Sequence, residues 1–261
     1  MSQIVFARLD PLLVEPQGGD VDLVKAAIFR LQSRNIPLII VTGKTRAEVV
    51  AWQRQFGLNS PFIVERGSGV FLAQAERRFT SSETETNDNY YLHQLGCSYT
   101  EARAALKAVQ EEINKILRGF GDLDEENIQT LISSSQLAAR NAKAREFSEY
   151  FITPNRLEIE QLEEVARAYG FKIVPGDKLS LILSAAANEV AAMEWLIQRH
   201  TDKNTRTVAL GSTMDDLNLL ETVDLPIIIP TEAIPSCLSD RSWKTASNLG
   251  IKGWAESLES I

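Results

Sequence analysis

The sequence predicts an α/β protein: a parallel-sheet core built from two separate stretches of chain, with an α+β unit inserted between them. Three observations predict it. Residues 4–9 and 36–42 carry continuous apolar runs (IVF, then IPLIIV), the pattern of strands buried on both faces of a parallel sheet. Helix-like segments follow each run, and this βα rhythm stops at the polar stretch SSETETNDN before returning near residue 185. The chain in between reads as amphipathic helices and a hairpin instead. The expected boundaries are 1–83 and 185–261 for the core and 84–184 for the inserted cap.

The elements follow in order. Ile4, Val5 and Phe6 open the first strand, which ends by Pro11 because proline has no N–H for the ladder. That strand delivers Arg8 and Asp10 to its carboxyl end, the edge where ligands and chemistry sit in such sheets. Val21, Val24, Ala27, Ile28 and Leu31 recur at helical spacing over 20–34, with Asp20 as the expected N-cap. After the second strand, GKTRAEVVAWQRQFG predicts a helix ended by Gly57. Residues 61–65 give a third strand, RGSG a turn, and VFLA a short strand before the exposed linker at 80–89. The cap is expected to hold helices over 100–118 and within 124–143, a strand at 145–153, a helix at 158–170 and the hairpin FKIVPGDKLSLILS. NEVAAMEWLIQRH then predicts a helix, 205–211 a strand, Leu217–Leu220 a helix and 225–230 a strand. A terminal helix packs Trp254 and Leu258 on the core.

Composition bounds the function. A chain of 261 residues is long enough for a core with a second unit inserted in it. A net charge of −8 with no concentrated basic face argues against nucleic acid. Cys97 and Cys237 lack metal-ligand spacing and suggest no disulfide framework. The N-terminus shows no signal-peptide pattern, and no apolar stretch nears the roughly 18 residues of a spanning helix. The expectation is a soluble cytoplasmic protein with no membrane partner.

Segments 8–10, 42, 189 and 211–216 fall at the ends of expected core elements. Together with VTGKTRAEV, FIVERGSGVFL, AKAREFSEYF, VALGSTMDDLNLLETVDLPIII and GIKGW, they resemble the haloacid dehalogenase superfamily. The branch is the one with a large α/β cap after the third core strand (type C2B), and the likeness is greatest to the mannosyl-3-phosphoglycerate phosphatases. The resemblance implies a Rossmann-like core and magnesium-dependent hydrolysis of a sugar phosphate. In that chemistry an aspartate ending strand one attacks phosphorus, and an aspartate two residues later is the general acid and base. A hydroxyl after strand two binds the phosphoryl oxygens, a lysine starting a helix neutralises charge, and an acidic motif after strand four completes the metal site.

Carried onto this chain, the nucleophile position holds Arg8, which cannot attack phosphorus and repels a metal. Asp10 fills the acid/base position, and Thr42, Gly43 and Arg66 the phosphate-binding edge. The lysine position falls on Glu189; Lys178 is an alternative but sits too early, in the hairpin. The metal motif reads Gly211-Ser212-Thr213-Met214-Asp215-Asp216, so Ser212 replaces a ligand while Asp216 remains, with Asp215 a weak candidate beside it, and Mg²⁺ is expected to bind weakly or not at all. In the cap, Arg140, Lys143, Arg145 and Glu146 match the segment that meets the phosphoglycerate moiety in similar phosphatases.

Two of these changes invert charge together, which predicts an Arg8–Glu189 ion pair in place of Asp–Lys. Plainer roles stand beside the chemical ones. Asp10 can be a strand-end acid, Asp215 and Asp216 can serve a helix first turn, and Thr42 can cap the following helix. Arg8 and Arg66 can form a structural cluster or hold an anion without cleaving it, and His93 and His200 read as surface residues. Two functions follow. One is an inactive pseudo-phosphatase that binds a phosphorylated small molecule or a protein partner. The other is a weak magnesium-dependent phosphohydrolase using Asp10.

Overall fold

The computed structural model describes residues 2–8, 19–80, 89–231 and 235–261. The core sheet begins with β1 (Gln3–Arg8), followed by α1 (Gly19–Ser33), β2 (Leu38–Val41), α2 (Arg46–Phe56), β3 (Phe62–Val64), β4 (Gly69–Ala73) and β5 (Tyr90–Gln94). The cap follows as α3 (Tyr99–Ile113), α4 (Glu125–Ile132), α5 (Gln136–Lys143), β6 (Ser148–Ile152), α6 (Arg156–Ala168), β7 (Phe171–Val174) and β8 (Leu179–Ser184). The chain re-enters the core through α7 (Glu189–Arg199), β9 (Arg206–Gly211), α8 (Leu217–Glu221), β10 (Leu225–Ile228), α9 (Ser236–Ser239), β11 (Lys244–Thr245) and α10 (Gly250–Glu259).

The eight-stranded sheet runs β11-β10-β9-β1-β2-β3-β4-β5, parallel from β11 to β3 and antiparallel beyond. Its strands read as unbroken apolar runs because both faces are covered. Val5, Ala7, Leu38 and Ile40 pack under α1, α2 and α10 through Ile28, Trp52 and Trp254. Their alternate neighbours Ile4, Phe6, Ile39 and Val41 pack under α7 and α8 through Met193, Leu196 and Leu220. Register brings Arg8 level with Val41, and Ala7 level with Ile40 and Leu210. The carboxyl ends of β1, β2 and β9 therefore meet at one edge, where strand order reverses about β1.

The cap is a three-stranded antiparallel sheet, β6-β8-β7. One face packs α3 and α6 through Val109, Leu162, Phe151 and Ile182, and the other packs α4 and α5 through Ile128, Ala139 and Ile152. Among the described residues no helix is long and apolar enough to cross a membrane.

Several expectations need correction. The cap was expected from residue 84, yet β5 pairs with β4 and extends the core sheet, so cap elements start with α3. Tyr90 and Leu92 pack on one face of that sheet and Tyr91 on the other, an alternation too short to stand out beside the polar run before it. The linker itself, at 81–88, lies outside the described residues. Thr42 does not cap α2; Thr45 does, with Glu48 returning the bond in a capping box, and Gly57 ends the helix in the left-handed region as expected. Asp20 lies within α1 rather than before it. His200 is buried against Phe79, and His93 stacks on Trp195, so neither is a bare surface residue.

Candidate functional site

Arg8 ends β1 with its side chain only 7% exposed, so its charge must be met by the protein. Two carboxylates meet it. Nη1 and Nη2 donate to the two oxygens of Glu189 at 3.0 and 2.7 Å, a bidentate pair, and Nε donates to Asp216 Oδ1 at 2.5 Å. Nη2 also reaches the Asp215 carbonyl at 3.1 Å. Burial works against the charge, but the bonds and charges of Glu189 and Asp216 outweigh it, so the guanidinium is held above its ordinary pKa.

The sequence places both acids locally. Glu189 is the first residue of α7, after the N-cap Asn188, where a carboxylate also suits the helix dipole. Asp216 closes a short 3₁₀ turn, Met214–Asp216, and its side chain is wholly buried. Its second oxygen accepts from the Ser212 and Thr213 amides at 2.7 and 2.8 Å and from Thr213 Oγ1 at 3.1 Å. Asp216 therefore does more than solvate a first turn: it folds the 211–216 loop onto the guanidinium.

The same edge carries further charges. Arg66 donates to Asp215 Oδ2 at 2.9 Å, and its Nε lies where a side chain on Gly43 would begin, 3.4 Å from a Cβ built there. Glu65 and Arg66 both sit at positive φ, and Gly67 follows at φ +81°, where a Cβ would strike the backbone of Asn188 and Glu189. That close approach seats the 65–67 turn against the start of α7. Thr42 is buried, its hydroxyl accepting from the Lys44 amide at 3.1 Å.

Lys172, which sequence reasoning missed, reaches across from β7 and donates to the Ala187 carbonyl at 2.5 Å. Burial lowers its pKa below the usual lysine value, the Arg66 charge adds to the drop, and Glu189 opposes it. The predicted alternative, Lys178, is exposed in the turn after β7, away from this edge. Asp10 lies outside the described residues.

These groups bound a cleft of about 340 Å³ lined by Arg8, Gly43, Arg66, Thr213, Met214 and, from the cap, Tyr150. None of the four cap residues singled out in the sequence lines it. Arg140 is exposed on α5, Lys143 donates to the Leu123 carbonyl, and Glu146 pairs with Arg46 at 2.8 Å. Arg145 is buried in the joint between core and cap. It donates to Gly43 O at 3.0 Å and Ser148 Oγ at 2.9 Å, and it lies 3.4 Å from Glu65. Glu65 in turn accepts from the Glu146 and Phe147 amides at 2.8 and 3.1 Å and from the Ser148 hydroxyl.

The arrangement holds no described nucleophile at the end of β1, since a guanidinium has no lone pair to offer at any working pH. Nor do its donors fit a divalent cation. Both oxygens of Asp216 are engaged by N–H and O–H groups, Ser212 brings no carboxylate, and Arg8 puts a positive charge among the remaining acids. Among the described residues no cluster of His, Cys, Asp and Glu could hold a metal. Three cations among the described residues, Arg8, Arg66 and Lys172, face three acids, Glu189, Asp215 and Asp216, and their charges balance.

Comparison with known proteins gives this geometry its context. The chain is 30% identical over 269 residues to a glucosyl-3-phosphoglycerate/mannosyl-3-phosphoglycerate phosphatase of Persephonella marina, covering 99% of this chain and 96% of the relative. It is 28% identical over 270 residues to a phosphatase of the same description from Methanococcoides burtonii, covering 100% and 97%. Among solved structures, a haloacid dehalogenase-like hydrolase from Bacillus subtilis superposes with a TM-score of 0.66 at 13% identity, over 99% of both chains. Another from Bacteroides thetaiotaomicron gives 0.69 at 11%, over 100% of both. At that identity the two structures share the fold. No family model matches the chain.

Proposed function

The chain belongs to the haloacid dehalogenase superfamily, in its mannosyl-3-phosphoglycerate phosphatase-like branch, and we propose that this member binds a phosphorylated ligand without hydrolysing it. One observation carries the reading: Arg8, at the end of β1 where the family resemblance puts the nucleophile, is clamped by Glu189 and Asp216 at 2.5–3.0 Å. Losing a covalent nucleophile costs a concerted active site on the order of four to six powers of ten in rate. The clamp also takes up the acid that would bind magnesium, so the loss extends to the metal step.

What the site keeps is suited to holding an anion. Arg66 stands at the mouth of the cleft beside Gly43, with a planar fork that matches a phosphoryl group. Tyr150 lines the cleft from the cap. A phosphorylated sugar acid, the substrate class named for the relatives, fits this reading as a ligand whose phosphoryl group displaces Asp215 from Arg66.

The test is an assay with mannosyl-3-phosphoglycerate and an aryl phosphate, with magnesium, at high protein concentration. No turnover is expected from the natural chain, and the triple variant Arg8→Asp, Glu189→Lys, Ser212→Asp is expected to gain it. Turnover by the natural chain that Asp10→Asn abolishes would replace this reading with that of a weak phosphohydrolase. Binding is read separately, as a rise in melting temperature with phosphoglycerate in the absence of magnesium, lost in Arg66→Ala.

A further inference from the structure

A second and larger hollow lies elsewhere on the molecule. It is a groove of about 1340 Å³ running along α2 past the end of β4 and the start of β5. Its chemistry is dominated by arginine. Arg46 and Arg54 lie eight residues apart on α2 with Val50 between them, so the helical period puts both on one face. Arg77 enters from the loop after β4, and Arg145 stands at the cap end of the groove. Arg145 also borders the cleft, its guanidinium lying 4.4 Å over the ring of Tyr150 and donating to Gly43 O, both cleft residues.

The charges in this groove are not balanced as they are in the cleft. Arg46 has the carboxylate of Glu146, but Arg54 and Arg77 are exposed, and among the described residues neither has an ion-pair partner. Arg145 Nη1 is buried without a hydrogen-bond partner among the described residues, which a native protein rarely leaves so. Two exposed guanidinium groups without an ion-pair partner among the described residues, Arg54 and Arg77, make a local reversal of field on a chain of net charge −8. Tyr90 and Tyr91 add phenolic hydroxyls along the same wall.

We infer that this groove is an anion-binding site separate from the cleft, for a ligand carrying two or more phosphoryl or carboxylate groups. The accessible arginines come from two elements, Arg46 and Arg54 from α2 and Arg77 from the loop after β4, which suits a ligand with more than one anionic group. The volume exceeds the ~300–1,000 Å³ usual for compact small-molecule pockets and suits an extended ligand. Guanidinium forks pair bidentately with either kind of group. The inference does not depend on the reading of the cleft.

The test is calorimetric titration and thermal shift with tripolyphosphate and with citrate, one probe for each kind of group. Saturable binding is expected for at least one of them, and the tighter probe identifies the chemistry. Arg54→Ala with Arg77→Ala should weaken that binding by about tenfold or more while leaving the melting temperature without anion unchanged, since both side chains are exposed. Arg66→Ala should leave it as it was. Absence of binding to the natural chain overturns the inference. So does binding that survives the double variant and falls with Arg66→Ala, which would put the anion in the cleft.

Discussion

Arg8 and Arg145 are both buried arginines held by buried carboxylates, yet they do different work. The Arg8 cluster gathers Glu189 and Asp216 from elements 181 and 208 residues away and fills the place where a reaction would occur. The Arg145 cluster joins Glu65 to a segment of cap backbone and fixes the cap on the core. In the first, Arg8 and Glu189 meet through side chains alone, while Asp216 is also anchored by the Ser212 and Thr213 amides. In the second the carboxylate is also satisfied by two backbone amides, so its geometry is set by the main chain. The difference shows which parts of a site can be rewritten. Side-chain pairs can exchange charge if both partners change, whereas a carboxylate bonded to main chain has no partner that could change with it.

The contrast can be broken at either end. Arg8→Met should have the largest effect on stability, about 3–5 kcal/mol by chemical denaturation, because it leaves Glu189 and the fully buried Asp216 facing each other without a cation. Adding Glu189→Gln should recover part of that loss. Glu65→Gln should cost less, roughly 1–3 kcal/mol, since one oxygen can still accept from the cap amides. Its signature should be local: hydrogen exchange at the Glu146 and Phe147 amides should quicken, while that in β1 and β2 holds. Equal exchange changes in both places would show that the joint and the core are one cooperative unit.

The smallest expected effect is that of pH on Arg8. Its folded pKa is raised, so the stability it lends is present below the ordinary arginine value and lost only as pH climbs through the raised one. Between about pH 6 and about pH 10 it therefore stays charged, well below the ordinary arginine value. An alkaline assay should unmask no phosphatase turnover. Turnover appearing across that range would mean that the clamp opens without losing its charge.

Much of this was legible in the sequence, for reasons that vary by residue. Arg8 and Glu189 could be placed because each is pinned by a local pattern, the end of an apolar run and the start of an amphipathic helix. Their contact followed from charge inversion at both. Thr45 was also legible, because Thr45 and Glu48 spell a capping box, and attention to Thr42 passed over it. Lys172 and Tyr150 were not legible. Each faces the core only because β7 and β6 pair with β8, and no local spacing in the cap announces that packing. The exposed cap residue Arg140 shows the converse, since a matching segment does not fix where a side chain ends up.

One consequence of Arg8 concerns supply rather than affinity. An ion held by carboxylates exchanges with the pool around it, so its occupancy follows concentration, competing ions and chelators. A guanidinium fixed to β1 arrives with every chain in one equivalent and has no dissociation rate. Treatment with a chelator should therefore leave the melting temperature where it was, and the charge at this edge is set once, when the chain folds.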